Sequence, residues 1–594
     1  MTQESTKPLA RVFRPWANGR ISYGSGNSQA ILRQERAKAA YRIRSETRIS
    51  VLGIFFLCFF LLIGGKMSLV AISETDRQTV PDIGSKIAAQ RADITDRHGR
   101  ILATNFETYA LYGQPQQMVD PEGAAAKVAA IFPDLDHARL LSDFTGERKF
   151  VWIKRKLSPE QRQAVHDLGE PGLLFGPREV RLYPNGHLAA HVLGGASFGK
   201  EGVSAAEVIG VAGVEKYFDQ KLRDPARSSE PLKLSIDLAI QDATERVLLG
   251  ATRLLDAKGA TSVLMDVHSG EVLSLASLPD FDPNDRPPPP ISGEPSDSPL
   301  FNRAAQGVYE LGSAFKIFTA AQAIDLGIAN EDTIIDASGP MEIGRFKITE
   351  FRNKDYGRIS LADVIVKSSN RGVGRLALKI GAERQKAFLD QLGMLSPTPL
   401  EVVEAASSKP LYPRRWSKFS TVTISYGHGI STTPLHLAVG YATIANGGKL
   451  VQPTILRQDN PEYGPRVLSP RAAATARAML RRVVTEGTAS LAQIPGYQLA
   501  GKTGTAEKPK PGGGYLEDKV LSTFATIFPA DNPKYVLVVT LDEPVDNSGE
   551  KPKRTAGWTA VPVAAELVER IAPLLGLRPY GQTLYSLTVS PETD

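Results

Sequence analysis

Hydrophobic residues are concentrated in one continuous stretch near the start of the chain. Ile49–Gly65 is uncharged and consists mostly of Val, Leu, Ile and Phe, and the apolar character continues past Lys66 to Ile72. A stretch of this length matches the thickness of a bilayer, with the lysine amine reaching toward the interface. We predict a single transmembrane helix over 48–72, retained as an anchor because a cleaved signal peptide has a shorter apolar core.

Farther along, the pattern changes to short apolar runs and helical periodicity. Runs bounded by turn residues predict strands at 261–267, 271–277, 520–528 and 535–541. Spacing of three and four predicts helices at 241–255, 314–326, 361–380, 434–446 and 561–575. Strands near both ends with helices between them predict an α+β fold, in which distant segments form one antiparallel sheet with helices on its faces.

The residues before Leu234 have a different pattern. Asp96-Arg97-His98-Gly99 predicts a turn into a strand, and residues 120–170 are predicted to be helical, with one helix starting at Ser158. The Gly-rich stretch 181–215 lacks the strand-then-helix context of a dinucleotide site. The pattern of apolar and polar residues changes at Leu234, which we take as a domain boundary.

Charge indicates the orientation of the chain in the membrane. The 594 residues carry a net charge of +6, and much of the excess lies in residues 1–48. A basic flank before the apolar stretch places the N-terminus in the cytoplasm and the bulk of the chain outside. Topology explains this basic segment better than phosphate binding, so we expect no nucleic-acid partner. The only cysteine, Cys58, lies within the span, so the exported part has no disulfide.

Three short motifs suggest the chemistry, and the first contains a nucleophile and a base. Ser313 and Lys316 are three positions apart at the start of a predicted helix, so they share a face. A serine hydroxyl needs an adjacent base to take its proton. The helix dipole and burial beside Phe315 and Phe318 are expected to lower the pKa of the lysine so that it can act as this base. The spacing alone is a weak signal, since it occurs twice elsewhere in the chain.

The second and third motifs supply the remaining groups. Ser368 can relay a proton from Lys316 to a leaving amine, and Asn370 can bind the substrate's amide. In the third motif, Lys502, Thr503 and Thr505 offer a cation and hydroxyl donors to a carboxylate, while Gly504 allows close backbone approach. The N–H groups of Thr505 and Ser313 would form an oxyanion hole. Together the motifs predict a serine acyl transferase acting on a peptide with a free carboxylate end.

The chain resembles the class B penicillin-binding proteins from Arg91 to about Leu574. Besides the catalytic motifs, the residues that match the family's markers are Arg91 with Asp96-Arg97-His98-Gly99, Gly210 with Gly213-Val214-Glu215, and Ser235-Ile236-Asp237 with Gln241. The Ser-x-Asn form of the second motif and the run Ser425-Tyr426-Gly427-His428-Gly429-Ile430 resemble the cell-division, or FtsI, type. Ala92 and Leu311 depart from the family's usual glycine and proline.

The resemblance implies a domain plan and an activity. A cytoplasmic tail (1–47) and the anchor precede a non-catalytic pedestal, or dimerisation, domain (73–233), a serine β-lactamase-like transpeptidase domain (234–578) and a short tail (579–594). The implied activity is a D,D-transpeptidase that cross-links septal peptidoglycan through an acyl-enzyme on Ser313, which β-lactams also acylate. No cofactor or metal is implied.

The resemblance also implies partners and a location. The implied substrates are peptidoglycan stem peptides and the lipid-linked precursor polymer. The implied protein partners are an FtsW-type glycosyltransferase and other membrane proteins of the divisome. The implied location is the bacterial inner membrane, crossed once, with the catalytic domain in the periplasm.

Several alternatives remain at this point. The enzyme can serve cell elongation instead of division. Water can replace the acceptor amine, as in a D,D-carboxypeptidase or a β-lactamase, although neither needs the anchor and the long region before residue 234. A β-lactam sensor or a scaffold would perform no synthesis. A metalloenzyme is disfavoured, because the histidines lack an accompanying acidic or thiolate cluster.

Overall fold

The structure is a computed structural model that describes residues 52–64, 66, 91–201, 206–510 and 512–580. The chain divides into two compact units, Met1–Ile87 and Ala88–Asp594. In the first unit, residues 52–64 are helical. Among the described residues, no helix reaches the length and apolar character needed to cross a bilayer. The rest of the predicted span 48–72 and the tail 1–47 lie outside the described residues.

The second unit begins with a mixed region. Its strands are β1 (Ile94–Thr95), β2 (Ile101–Gly113), β3 (Val151–Leu157), β4 (Leu173–Leu182), β5 (Gly195–Glu201), β6 (Ala206–Ala212) and β7 (Leu232–Lys233). Its helices are α1 (Pro121–Ile131), α2 (His137–Thr145), α3 (Pro159–His166), α4 (Ala190–Leu193), α5 (Gly213–Tyr217) and α6 (Asp219–Leu222). Strands β3, β2, β1 and β7 are neighbours in that order, with β4 also paired to β2, while β5 and β6 form a hairpin.

The prediction of helix throughout 120–170 is wrong in one segment. Helices α1, α2 and α3 lie in this range, and the side chain of Ser158 caps α3 as expected by accepting the N–H of Gln161. Between α2 and α3, however, β3 pairs with β2. Val151, Ile153 and Leu157 are buried in β3, but basic residues occupy its second half. The helical pattern on both sides obscured this short strand.

Ion pairs connect the distant family markers in this region, and those of Glu215 are buried. Glu215 is fully buried in α5 and accepts from the guanidinium groups of Arg91 and Arg181, each at 2.7 Å. Asp237 accepts from Arg100 and lies 2.9 Å from His98. The same carboxylate caps the following helix by accepting the N–H of Ala239. Charged groups that would be costly to bury alone are therefore paired.

The remainder of the unit contains a second five-stranded sheet, further short strands and the helices around them. Its strands are β8 (Gly259–Asp266), β9 (Val272–Leu278), β10 (Ile334–Asp336), β11 (Met341–Ile343), β12 (Phe346–Ile348), β13 (Arg358–Ser360), β14 (Ala500–Pro509), β15 (Tyr515–Phe528) and β16 (Tyr535–Asp542). Its helices are α7 (Leu238–Leu254), α8 (Lys316–Asp325), α9 (Leu361–Val366), α10 (Asn370–Ile380), α11 (Ala382–Gln391), α12 (Val403–Ser407), α13 (Lys418–Ser425), α14 (Pro434–Ala445), α15 (Pro470–Glu486) and α16 (Ala560–Leu574).

The predicted antiparallel sheet of distant segments is confirmed. Its order is β14-β15-β16-β8-β9, and every neighbouring pair is antiparallel. Strands β8 and β9 are buried along almost their whole length, which requires cover on both faces. Helices α7 and α16 pack together against this sheet, and α14 packs on β8 and β16. The fold is α+β.

Two predicted helices differ from the expectation near the motifs. The segment 361–380 is not one helix, since α9 ends at Val366 and α10 begins at Asn370, with Ser368 at a φ of 61° between them. The side chain of Ser369 caps α10 by accepting the N–H of Gly372, which favours a new helix start. The predicted helix at 314–326 begins as a 3₁₀ turn, Gly312–Phe315, before α8.

Candidate active site

Ser313 lies half-buried in the 3₁₀ turn that leads into α8. The carbonyl of Ala314 accepts the hydroxyl of Tyr441 at 2.9 Å, which ties this turn to α14. Gly312 has a φ of 56°, and a Cβ there would lie 2.8 Å from the carbonyl oxygen of Thr505. Glycine therefore permits both the turn and its close approach to the third motif.

The amine of Lys316 is enclosed by protein. The residue is 0% exposed, and its Nζ donates to the carbonyl oxygen and to the hydroxyl of Ser368, the latter at 3.0 Å. Burial lowers the pKa of Lys316 to about 7, against the opposing influence of the Glu350 charge. Near neutral pH a large fraction of this amine is therefore uncharged and can accept a proton.

A second buried amine shares the same hydroxyl. Lys502, in β14, is 0% exposed and lies 3.0 Å from the Ser368 hydroxyl oxygen. Burial lowers the pKa of Lys502 well below its ordinary value, and the charge of Lys316 adds to this effect. A hydroxyl between two amines can donate to whichever is neutral while accepting from the other. The two lysines and the serine thus form a continuous chain of hydrogen-bonding groups.

Asn370 is the first residue of α10 and lies half-buried, two positions after Ser368. Its side-chain NH₂ donates to the carbonyl oxygen of Thr349 at 3.0 Å, which leaves the side-chain oxygen available to accept from a ligand. The neighbouring Ser369 donates its hydroxyl to Glu350 at 2.6 Å. Contacts on both sides therefore hold the second motif in place.

The third motif lies on an edge strand. Strand β14 ends the sheet, and its Gly504 packs so closely on the serine segment that a Cβ would be 2.2 Å from the carbonyl oxygen of Leu311. The Thr505 hydroxyl accepts the N–H of Ala556 at 3.0 Å, so its own proton remains free to donate to a ligand. The buried Thr503 hydroxyl is 2.6 Å from that of Thr488. An edge strand also has backbone groups that are not paired within the sheet.

Groups that sequence reasoning did not select as site residues lie beside the serine turn. Glu310 accepts the N–H of Gly429 at 2.7 Å and the hydroxyl of Tyr515 at 3.0 Å, and His428 Nδ1 is 3.6 Å from its carboxylate. Burial lowers the pKa of His428 to about 4, so its imidazole is neutral near pH 7. Burial also raises the pKa of Glu310. The family-like run 425–430 indicated this region, but no spacing rule connected it to Glu310.

The structure thus brings together residues from all three motifs. Ser368 contacts both lysines directly, and Gly312 and Gly504 place the serine turn against β14. Glu350, which also escaped sequence reasoning, contacts the second motif. Within the described ranges, no group of three or more His, Cys, Asp or Glu side chains is placed to hold a metal ion.

Two family models match the chain. The model described as "Penicillin binding protein transpeptidase domain" covers residues 260–568. The model described as "Penicillin-binding Protein dimerisation domain" covers residues 86–227. The first contains all three motifs, and the second contains the buried Arg91 and Glu215.

Individual relatives and solved structures agree with these models. The probable peptidoglycan D,D-transpeptidase FtsI of Caulobacter vibrioides is 34% identical over 559 residues, which cover 92% of this chain and 91% of the relative. The peptidoglycan D,D-transpeptidase FtsI of Escherichia coli K12 is 29% identical, over 83% of this chain and 85% of that protein. The crystal structure of penicillin binding protein 3 from Mycobacterium tuberculosis, complexed with aztreonam, is 26% identical with a TM-score of 0.63, over 83% of this chain and 97% of that one. The chain therefore belongs to the class B penicillin-binding proteins of the FtsI type.

Proposed function

We propose that this protein cross-links septal peptidoglycan as a serine-type D,D-transpeptidase and that Ser313 is its nucleophile. The peptidoglycan D,D-transpeptidase activity rests on family membership. Lys316 follows Ser313 by three positions in the chain. The burial of its amine against Ser368 is the observation that best supports the residue roles. An amine with a pKa of about 7 is suited to take a proton from a serine hydroxyl at neutral pH.

Acylation then proceeds in two stages. The Ser313 oxygen attacks the carbonyl carbon between the two terminal D-alanines of a stem peptide, and its proton passes to Lys316. The N–H groups of Ser313 and Thr505 stabilise the negative charge on the carbonyl oxygen. When the C–N bond breaks, the proton travels through the Ser368 hydroxyl to the amine of the departing D-alanine. The products are an ester on Ser313 and free D-alanine.

The substrate's carboxylate helps to assign states to the two buried amines. Lys502, whose Nζ lies 3.5 Å from the Thr503 hydroxyl, would bind this carboxylate together with Thr503 and Thr505, and the negative charge of the carboxylate favours a protonated Lys502. A positive Lys502 next to the shared hydroxyl in turn favours a neutral Lys316. Binding of the correct peptide end thus prepares the base. Asn370 and Gly504 position the peptide itself.

Deacylation repeats these steps with a new partner. The amine of a neighbouring stem peptide attacks the ester carbonyl, and its proton returns along Ser368 and Lys316 to the Ser313 oxygen. Water in place of the amine would give the carboxypeptidase reaction. Transfer to an amine is the reaction that fits the named relatives.

We also propose where the protein works and with what. The apolar stretch 48–72 and its basic flank favour a single-pass anchor in the inner membrane, with the domains of residues 73–233 and 234–578 in the periplasm. The FtsI-type resemblance favours an FtsW-type glycosyltransferase and other divisome proteins as partners. Co-purification of an FtsW-type protein with the full chain, lost when 48–72 is exchanged for an unrelated span, would test this.

Intact-mass analysis tests the nucleophile. Full-length protein in detergent is incubated with benzylpenicillin, and we expect one adduct of the penicillin mass. The adduct should be absent from Ser313→Ala. It should persist in Ser548→Ala, a matched control because Ser548 also begins a Ser-x-x-Lys sequence. An adduct on another residue would refute the assignment, and rapid release of penicilloate would favour a β-lactamase.

A further inference from the structure

A buried carboxylate outside the three motifs contacts the second motif. Glu350 follows β12 and is 4% exposed. One of its oxygens accepts the hydroxyl of Ser369 at 2.6 Å and the N–H of Arg371 at 2.9 Å. Its other oxygen accepts the N–H of Asn370 at 2.9 Å. A single side chain thus satisfies three donors at the start of α10.

These hydrogen bonds stabilise an unfavourable backbone conformation. Ser368 has a φ of 61°, and a non-glycine residue in this region costs roughly 1 kcal/mol or more. The conformation directs both the carbonyl and the hydroxyl of Ser368 to Lys316. By fixing the first residues of α10, Glu350 holds the turn in which Ser368 lies. Charge-assisted bonds to backbone N–H groups are among the stronger ones available for this purpose.

The same carboxylate acts on the catalytic amine through space. Its negative charge opposes the effect of burial on the pKa of Lys316. In the described part of the chain, titratable groups near these two residues include Lys502, from β14, and His428, Tyr426 and Tyr356, from loops and a helix end. The charged side chain of Arg371, from α10, also lies close, since its backbone N–H donates to Glu350 and its guanidinium donates to the carbonyl of Ile348. The charge of Glu350 favours positive charge on Lys316.

We propose that Glu350 is a positioning residue of the transpeptidase reaction, which holds the Ser368 turn against Lys316 and stabilises the positive charge that this lysine acquires during proton transfer. The proposal rests on the proposed function, because it requires Lys316 to be the base. Glu350 contacts no reacting atom itself. Its effect reaches the chemistry through Ser368 and through the electric field at the lysine.

The test is the pH profile of acylation in Glu350→Gln. The amide keeps the size of the side chain but loses the charge and replaces one acceptor oxygen with a donor. Second-order rate constants are measured with a fluorescent penicillin from pH 5.5 to 9, on full-length protein in detergent. In the wild type we expect the rate to rise through an apparent pKa near 7, as Lys316 loses its proton. In the variant we expect this limb to move to lower pH by about half a unit or more, and the plateau to fall about tenfold.

Two further variants separate the parts of the proposal. Glu350→Asp keeps the charge but shortens the reach, so its plateau should fall while its acid limb stays near that of the wild type. Glu342→Gln removes an exposed carboxylate on neighbouring β11 and should leave the profile unchanged. An acid limb in Glu350→Gln that is unmoved, or moved to higher pH, would overturn the proposal, because a merely structural role changes only the plateau.

Folding and the underlying function are checked in the same experiment. If Glu350→Gln yields no folded protein, Glu350→Asp decides, and a plateau equal to that of the wild type would refute the positioning role. Failure of the proposed function looks different. In that case the wild-type protein itself forms no adduct on Ser313, whatever the state of Glu350.

Discussion

Burial of the Lys316 amine should make the folded protein less stable than a variant without it. The group is 0% exposed, and its pKa falls from the ordinary value of 10.5 to about 7. Lys316→Met keeps an unbranched side chain of similar size and removes the titrating group. Between the two pKa values the unfolded chain holds a proton that the folded chain has released, so wild-type stability rises with pH in this window. The penalty is fully present below pH 7 and is lost toward pH 10.5.

The size of the effect follows from the two pKa values. Keeping the amine buried costs about 5 kcal/mol at pH 6.5 and about 2 kcal/mol at pH 9. Loss of the hydrogen bonds to Ser368 subtracts about 2 kcal/mol from the gain in the variant at either pH. We therefore expect Lys316→Met to be more stable than the wild type by about 2–3 kcal/mol at pH 6.5 and nearly equal to it at pH 9. The substitution also removes the positive charge that lowers the pKa of Lys502, and this further increases the stability of the variant relative to the wild type.

Urea unfolding of the full-length proteins in detergent, followed by tryptophan fluorescence at both pH values, measures this difference. Lys379→Met removes an exposed lysine from α10 and serves as the control, for which we expect no pH-dependent change in relative stability. The change between the two pH values, about 2–3 kcal/mol, is the decisive quantity, because the hydrogen-bond contribution cancels from it. If Lys316→Met is destabilised equally at pH 6.5 and pH 9, the lysine is not an amine with a lowered pKa, and its assignment as the base fails.

Two other substitutions test separate parts of the structure. Lys502→Ala should lower the rate of β-lactam acylation about a hundredfold, because the ligand's carboxylate loses its cation, while the urea midpoint stays within error or rises; parallel losses of acylation and stability would contradict a role in binding. Glu215→Gln should destabilise the protein by about 3–5 kcal/mol in the same unfolding assay, because Arg91 and Arg181 lose the carboxylate that neutralises them. A loss below about 1 kcal/mol would show that water or other groups solvate these guanidinium groups.

The parts of the fold that were predictable are those in which one element has a single strong pattern. Strands β8 and β9 are apolar along nearly their whole length because both faces of the sheet are covered, and this property is visible in the sequence. Strand β3 was missed because the basic residues in its second half conceal the alternation of buried positions. The break before α10 was missed because Ser368 and Ser369 interrupt a helical periodicity that continues on both sides.

In the candidate site, too, relations between residues close in sequence were open to prediction, whereas contacts between distant segments were not. Ser313 and Lys316 are close neighbours in one segment, so their spacing alone was enough to predict that they act as a pair. Glu350 and Glu310 act on residues that the fold brings from elsewhere, and a single glutamate has no spacing by which to identify it. The position of the Ser368 hydroxyl between two lysines was likewise not predictable. The hydroxyl can face both amines only because the helix breaks before α10.

The position of the third motif connects the fold to the kind of substrate. Strand β14 lies at the edge of its sheet, so its outward backbone groups are free to pair with an extended peptide. Gly504 brings this edge against the serine turn, and Lys502 places a buried amine at the same point. A peptide that added to the edge would therefore present its end to the proposed nucleophile Ser313 and to a cation together. A buried central strand with the same four residues could do neither, so the proposed specificity of the serine depends on the order of the sheet as well as on the motif.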